Sequence, residues 1–338
     1  MAELKAAVVG TGGAARLHAA AYARDGRVRL AGVVSRSRTR AEELAGEFGA
    51  RGYCSVEEML RAERPDAVTV ATLEWEHEQP VLEALAAGAH VLCEKPLAHT
   101  LGAGERMVAA AARAGRGLGV NFNYRSVPAH GVIKEALERG GFGRVGIFTA
   151  QMHAYLWPHM LDQMRGWFGD PVEVTAAMVD EQGLRPPVSA GPEGRAWLYS
   201  EEDGSEMLYH PSVAAAATFG YGEFVATMSG SALVPLERNF WSFGLYGSED
   251  ALAVDRATRA NLNGTASLGR VAERIAGMQA CSYEESFALS VAGFVDAILA
   301  GKPVPVTGED GLAQMRLDAA IVEVARTGRA KRITEDTE

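Results

Sequence analysis

Over roughly its first third the chain alternates short β-branched apolar runs with longer alanine-rich stretches. Residues 5–10, 29–34, 67–71, 90–93 and 118–121 read as strands. Residues 15–24, 39–48, 78–87 and 101–114 read as helices, the last three stopped by Gly49, Gly88 and Gly115. Strands alternating with helices of that length build βαβ units and a parallel sheet. After about residue 123 the texture changes. One more helix is expected at 128–139, ended by Gly140 and Gly141. Strand-like runs then follow at 145–155, 172–181, 206–209, 213–219, 223–233 and 240–247, with little helix between them. Val225, Thr227, Ser229 and Ser231 alternate with Phe224, Ala226 and Met228, as in a sheet with two unlike faces. Helices at 283–300 and 309–327 close the chain, with apolar spacing fit for packing on the first domain. The segment 183–194, with three prolines, reads as a surface excursion.

The fold class that follows is α/β. A doubly wound parallel sheet over 1–122 precedes an α+β domain over 123–338, which carries a large, mainly antiparallel open sheet. A chain of 338 residues suits two such domains. A sheet with one face uncovered by helices suggests a homodimer or homotetramer formed through that face.

Charge and composition narrow the function classes. With 33 basic and 43 acidic side chains the net charge is −10, the wrong sign for a nucleic-acid binder. No run of about eighteen apolar residues is present, so no membrane span is expected. The opening Met1-Ala2-Glu3-Leu4-Lys5 leads straight into a strand and does not read as a signal peptide. Cys54, Cys93 and Cys281 are scattered and match neither a disulfide framework nor metal-ligand spacing. The expectation is a protein of the reducing cytoplasm without a metal.

The chemistry concentrates at strand ends. Gly10-Thr11-Gly12-Gly13-Ala14-Ala15 follows a strand and opens a helix, the setting a dinucleotide fingerprint requires. Gly10 permits the tight turn, Gly12 lets backbone approach a pyrophosphate, and Ala15 is small enough for helix and strand to pack. The second strand ends at Ser35-Arg36-Ser37, with Arg40 close by, where an NAD site normally carries an acid for the ribose hydroxyls. A hydroxyl and guanidinium groups suit a 2′-phosphate, so NADP is expected ahead of NAD. Glu94-Lys95-Pro96 sits at the C-terminal end of another strand, the edge where open parallel sheets bind ligands. A lysine there can donate to a carbonyl oxygen while hydride arrives at carbon.

These motifs resemble the glucose–fructose oxidoreductase, inositol dehydrogenase and rhizopine-catabolism (Gfo/Idh/MocA) family. The likeness is carried by the glycine loop with His18, Ala71-Thr72-Leu73-Glu74 with His77, Cys93-Glu94-Lys95-Pro96-Leu97, and Asn123-Tyr124-Arg125 with Pro128. His159 with Asp162, Gly169-Asp170-Pro171 and the run from Pro303 to Gly311 continue it in order. The resemblance implies a Rossmann domain plus a larger sheet domain, with substrate held between them. It implies Lys95 as the catalytic or proton-relay lysine, with Thr72, Leu73, His77, Glu94 and Arg125 around the cofactor. It also makes Ser35-Arg36-Ser37 look like an NADP-preferring pattern.

The family usually carries an aspartate four residues before its helix histidine, in the order Asp-x-Gly-x-His. Here Tyr155 occupies the aspartate position and Trp157 the glycine position. Three readings stay open: His159 alone assists Lys95, Tyr155 or His153 substitutes, or hydride chemistry has been lost. Catalytic candidates are thus Lys95, His159 and Tyr155. Candidate substrate contacts are Tyr124, His153, Trp157, which could form a stacking wall for a sugar ring, and Asp162. The function expected is an NADP-dependent oxidoreductase acting on a sugar, keto-sugar or cyclitol. The alternatives are a catalytically silent NADP- or sugar-binding regulator and a redox-assisted lyase or glycosidase.

Overall fold

The structure, a computed structural model, describes residues 3–179, 214–231 and 241–333. The strand expected at 206–209 and the excursion at 183–194 lie outside the described residues. The chain divides into two compact units: Met1–Ser126 with Glu284–Ala313, and Val127–Tyr283 with Gln314–Glu338. This differs from one cut at residue 122, because the chain returns to its first unit near its end.

In the first unit the order is β1 (Leu4–Val9), α1 (Gly13–Arg24), β2 (Val28–Val34), α2 (Arg38–Glu47), β3 (Arg51–Tyr53), α3 (Val56–Glu63), β4 (Ala67–Val70), α4 (Glu78–Ala86), β5 (His90–Cys93), α5 (Leu101–Ala114) and β6 (Leu118–Val120). The strands form one parallel sheet in the order β3-β2-β1-β4-β5-β6, a doubly wound arrangement whose strand order reverses beside β1. The pair β3–α3 was not anticipated from the sequence. Its strand is three residues long, and α3 buries only Met59 and Leu60 among charged neighbours, too little periodicity to stand out.

Val8, Leu30, Val33 and Leu92 of the sheet pack with Ala15, Ala19 and Tyr22 of α1. Val291, Phe294 and Val295, on the helix Tyr283–Ala300, join the same core. Beyond that helix the chain runs beside β6: the Val120 N–H donates to the Val306 carbonyl, and Gly119 bridges Thr307.

The second unit begins with α6 (Pro128–Glu138), β7 (Val145–His153), α7 (Trp157–Phe168) and β8 (Glu173–Val179). It continues with β9 (Ala214–Gly220), β10 (Val225–Ser231), β11 (Trp241–Gly247), β12 (Ala251–Ala257), β13 (Thr265–Ser267) and α8 (Gly269–Ala276). The helix Tyr283–Ala300 is α9, and α10 (Gly308–Thr327) and β14 (Lys331–Arg332) end the described chain. The sheet runs β13-β12-β11-β7-β10-β9-β8-β14, antiparallel at every described pairing except β7 with β10.

Helix α7 interrupts a stretch where little helix was expected. It is covered on all sides from Trp157 to Met164. Helix α8, which the sequence pattern did not announce, starts after Leu268 (φ 68°), a residue with no polar side-chain atom to cap it. The buried Asp250 supplies the cap instead, its carboxylate accepting from the N–H groups of Arg270 and Val271 at 3.1 Å each.

The expected alternation holds along β10, where Ala226 and Met228 are buried and Val225 is exposed. On the outward face Thr149, Thr227, Thr218 and Thr175 stand side by side across β7, β10, β9 and β8. Ile147, Val225 and Tyr246 are exposed beside them.

Candidate active site

The first unit assembles its site from the C-terminal ends of successive strands. After β1 the chain turns at Gly10, whose φ is 122°. A Cβ there would collide with the Ala71 carbonyl oxygen and lie 2.8 Å from its carbon, so only glycine lets the two chains approach. At Gly12 and Gly13 an added Cβ would meet nothing within 4 Å. Helix α1 begins there with no side-chain cap and no acid in its first turn. Its first N–H groups therefore point into open space under a favourable helix dipole, a ready seat for an anion.

Beside this loop, at the end of β2, Ser35 Oγ accepts from Ser37 N at 3.3 Å and lies 3.4 Å from Thr11 Oγ1. Ser37 in turn caps α2, accepting from Arg40 N. Arg36 extends into solvent and pairs with Glu76, Nη1 to Oε1 at 2.9 Å. Glu76 belongs to the 3-10 turn Glu74–Glu76 that follows β4. Between these features Thr72 Oγ1 is buried without a partner, and Leu73 is exposed. An orphaned hydroxyl, an uncapped helix start and an open glycine cradle at one sheet edge fit a dinucleotide. Gly10 to Ala15, Ser35, Arg36, Thr72 and Leu73 are the residues that would hold it.

Lys95 follows β5 at the same edge, half-buried, with a cis peptide to Pro96. Behind it lies a buried polar network. Glu94 Oε1 accepts from His18 Nε2 and from Asn121 Nδ2, both at 2.7 Å. Glu94 Oε2 accepts from the Lys95 N–H at 3.3 Å, and Ser290 Oγ of α9 donates to Asn121 Oδ1 at 2.7 Å. Burial works to raise the Glu94 pKa. The bonds from His18 and Asn121 and the charges of His18 and Lys95 outweigh it and hold the carboxyl below its ordinary value.

His77 is 1% exposed and does not present its ring to a ligand. Its Nδ1 lies 3.1 Å from the Pro96 carbonyl and 3.2 Å from that of Leu97, and its Nε2 lies 3.3 Å from the Thr72 carbonyl. The ring thus ties the β4 turn to the lysine loop, a supporting role behind the cofactor position expected for it. Arg125 is half-buried with its guanidinium 3.6 Å from Asp310, and Tyr124 is buried.

The remaining expected residues belong to the second unit. His159 and Asp162 lie on α7, both buried. Tyr155 is half-buried, and its N–H donates to His153 Nδ1 at 3.0 Å. That bond uses the His153 ring as a cap, and burial lowers its pKa, so His153 stands as a neutral acceptor. Trp157 corrects the stacking-wall expectation: it is fully buried, and its Nε1–H donates to Asp318 at 3.2 Å. Indole at this position is core because the bond to Asp318 satisfies its polar atom inside. Burial pushes the Asp318 carboxyl up to about 8.

Asp318 and Glu76 are among the residues that sequence reasoning missed. Neither carries a local motif, and both act across long sequence separations. A depression of about 430 Å³ lies over β7, β8, β9 and β10, lined by Gln151, Ala177, Ser229 and Ser231 among others. Among the described residues its lining holds no acid, histidine, lysine or cysteine. Among the described residues no group of three or more His, Cys, Asp or Glu could hold a metal, and no helix is long and apolar enough to cross a membrane.

Comparison with known proteins agrees with this geometry. A family model described as the oxidoreductase family with an NAD-binding Rossmann fold (GFO_IDH_MocA) matches residues 4–122. The chain is 32% identical to a 1,5-anhydro-D-fructose reductase of Ensifer adhaerens, over 89% of this chain and 90% of the relative. It is 27% identical to an inositol 2-dehydrogenase of Rubrobacter xylanophilus, over 96% of this chain and 92% of the relative. In fold it is similar to an oxidoreductase domain protein of Kribbella flavida, with a TM-score of 0.81 at 23% identity over 99% of this chain and all of the other.

Proposed function

The chain belongs to the Gfo/Idh/MocA family of oxidoreductases, and from that premise we propose an NADP-dependent enzyme moving hydride between nicotinamide and a carbonyl or hydroxyl of a sugar, keto-sugar or cyclitol. The observation that carries the reading is Lys95, set at the same sheet edge as the open glycine cradle and backed by the ionised Glu94. The names of the two full-length relatives, a reductase of an anhydro-sugar and a dehydrogenase of a cyclitol, support the substrate class.

The nicotinamide ring, when bound, supplies or accepts the hydride. The chain's own residues do the rest. The α1 N-terminus and the glycine loop bind the pyrophosphate, and Ser35 with Arg36 and Arg40 takes the 2′-phosphate. Lys95 Nζ gives a proton to the substrate oxygen in reduction and takes it back in oxidation. Glu94 fixes the Lys95 backbone through its own bonds to His18 and Asn121. His159 is the second proton-handling candidate, since imidazole suits transfer near neutral pH.

A comparison of kcat/KM for NADPH and NADH across a panel of keto-sugars and inosones tests the reading. NADPH is expected to win, and a clear preference for NADH would overturn the cofactor assignment. The second unit supports a homodimer or homotetramer through its open face, since the described outward positions of β7, β9 and β10 carry neither an acid nor a lysine or arginine. A monomer in sedimentation at micromolar concentration would contradict that.

A further inference from the structure

We infer that Glu76 acts as a counterweight to the 2′-phosphate of NADP by occupying Arg36, so that it sets how strongly this protein prefers NADP over NAD. The inference rests on the proposed role of Arg36 and goes beyond it. The strand-end rule places the ribose-facing acid of NAD enzymes at the end of β2, and Ser35 stands there instead. The fold nevertheless brings a carboxylate to that neighbourhood from elsewhere. Glu76 comes from the turn after β4, forty residues away in sequence, and its Oε1 meets Arg36 Nη1 at 2.9 Å.

The two partners differ in exposure. The Arg36 side chain is 87% exposed and Glu76 only 30%. The carboxylate is thus the more enclosed member, and the guanidinium reaches it from solvent. Arg38 is directed along its own helix to Glu42, an i,i+4 pair, so it does not relieve Arg36 of this partner.

The consequence is one-sided. A 2′-phosphate must draw Arg36 away from Glu76 before it gains a charge-assisted bond, whereas a 2′-hydroxyl asks nothing of the guanidinium. Specificity is a difference of affinities, and an element that weakens one cofactor without touching the other changes it directly. An exposed ion pair of this kind carries up to about 1 kcal/mol, which corresponds to a factor of up to about five in NADP affinity.

The test is fluorescence titration of NADPH and NADH into the full-length protein at low salt, where such a pair is least screened. Glu76→Gln is expected to tighten NADPH by about two- to fivefold and to leave NADH unchanged. Arg36→Ala is expected to weaken NADPH, and in that background Glu76→Gln should bring no gain. If Arg36→Ala weakens NADPH but Glu76→Gln changes nothing, or tightens both cofactors alike, the counterweight is refuted while the NADP reading stands. If Glu76→Gln tightens NADPH equally with and without Arg36, the route through Arg36 is refuted. If Arg36→Ala leaves NADPH binding intact, the assignment of Arg36 to the 2′-phosphate fails, and this inference with it.

Discussion

Replacing Glu94 with glutamine probes the network on which Lys95 stands. The carboxylate accepts two bonds at 2.7 Å, from His18 and Asn121, and one at 3.3 Å from the Lys95 N–H. A glutamine keeps the shape and one carbonyl oxygen but turns an NH2 group toward a donor. Bonds to a charged acceptor contribute about 1 kcal/mol more than neutral ones, so the exchange should destabilise the protein by about 2–3 kcal/mol. For a chain of 338 residues that is a fall in Tm of about 3–4 °C, read by differential scanning calorimetry at pH 7.

The pH dependence carries a sign. The Glu94 carboxyl is held below its ordinary value of 4.5, so its contribution is present above that pH and disappears as pH falls through the folded-state value. The gap between the parent protein and Glu94→Gln should be full from about pH 6 to 8 and close below about pH 4.5. A Glu94→Gln protein as stable as its parent at pH 7, or a gap that persists unchanged in acid, would refute the account of this network.

Gly10→Ala forces a Cβ into the Ala71 carbonyl at a backbone φ of 122°. It should destabilise the protein by about 1–3 kcal/mol and weaken NADPH binding in titration, and unchanged binding and Tm would contradict the steric reading. Asp318 gives the opposite pH sign to Glu94. Its carboxyl is raised from 3.8 to about 8 by burial, so the unfolded chain ionises first and folding loses up to about 1.4 kcal/mol per pH unit across that window. Asp318→Asn, which keeps an acceptor for Trp157, should therefore gain stability relative to the parent as pH rises from 5 to 8 in denaturation midpoints. A constant difference between the two would rule this out.

What could be read from the sequence divides along physical lines. The long helices α1, α4, α5, α9 and α10 and the core strands β1, β2, β4 and β5 announce themselves by uninterrupted apolar runs and glycine stops. The elements that escape include β3, α3, β12, β13 and α8; β3, α3 and β13 bury few side chains, and α8 depends on a cap supplied from elsewhere, by Asp250. At the site, local motifs such as the glycine loop and Glu94-Lys95-Pro96 are visible because their chemistry is contiguous in sequence. Pairings such as Arg36 with Glu76, Trp157 with Asp318 and Asn121 with Ser290 are invisible until the strands are ordered in space. His77 shows the limit of motif reasoning: its position was legible, but the use of both ring nitrogens on backbone carbonyls was not.

The central claim is that Lys95 moves the proton while the nicotinamide moves the hydride. Steady-state turnover of Lys95→Ala with NADPH and an accepted carbonyl substrate, alongside NADPH titration of the same protein, tests it most directly. Turnover should fall by about 10²- to 10⁴-fold while cofactor binding remains measurable. Turnover equal to that of the parent protein would contradict the account.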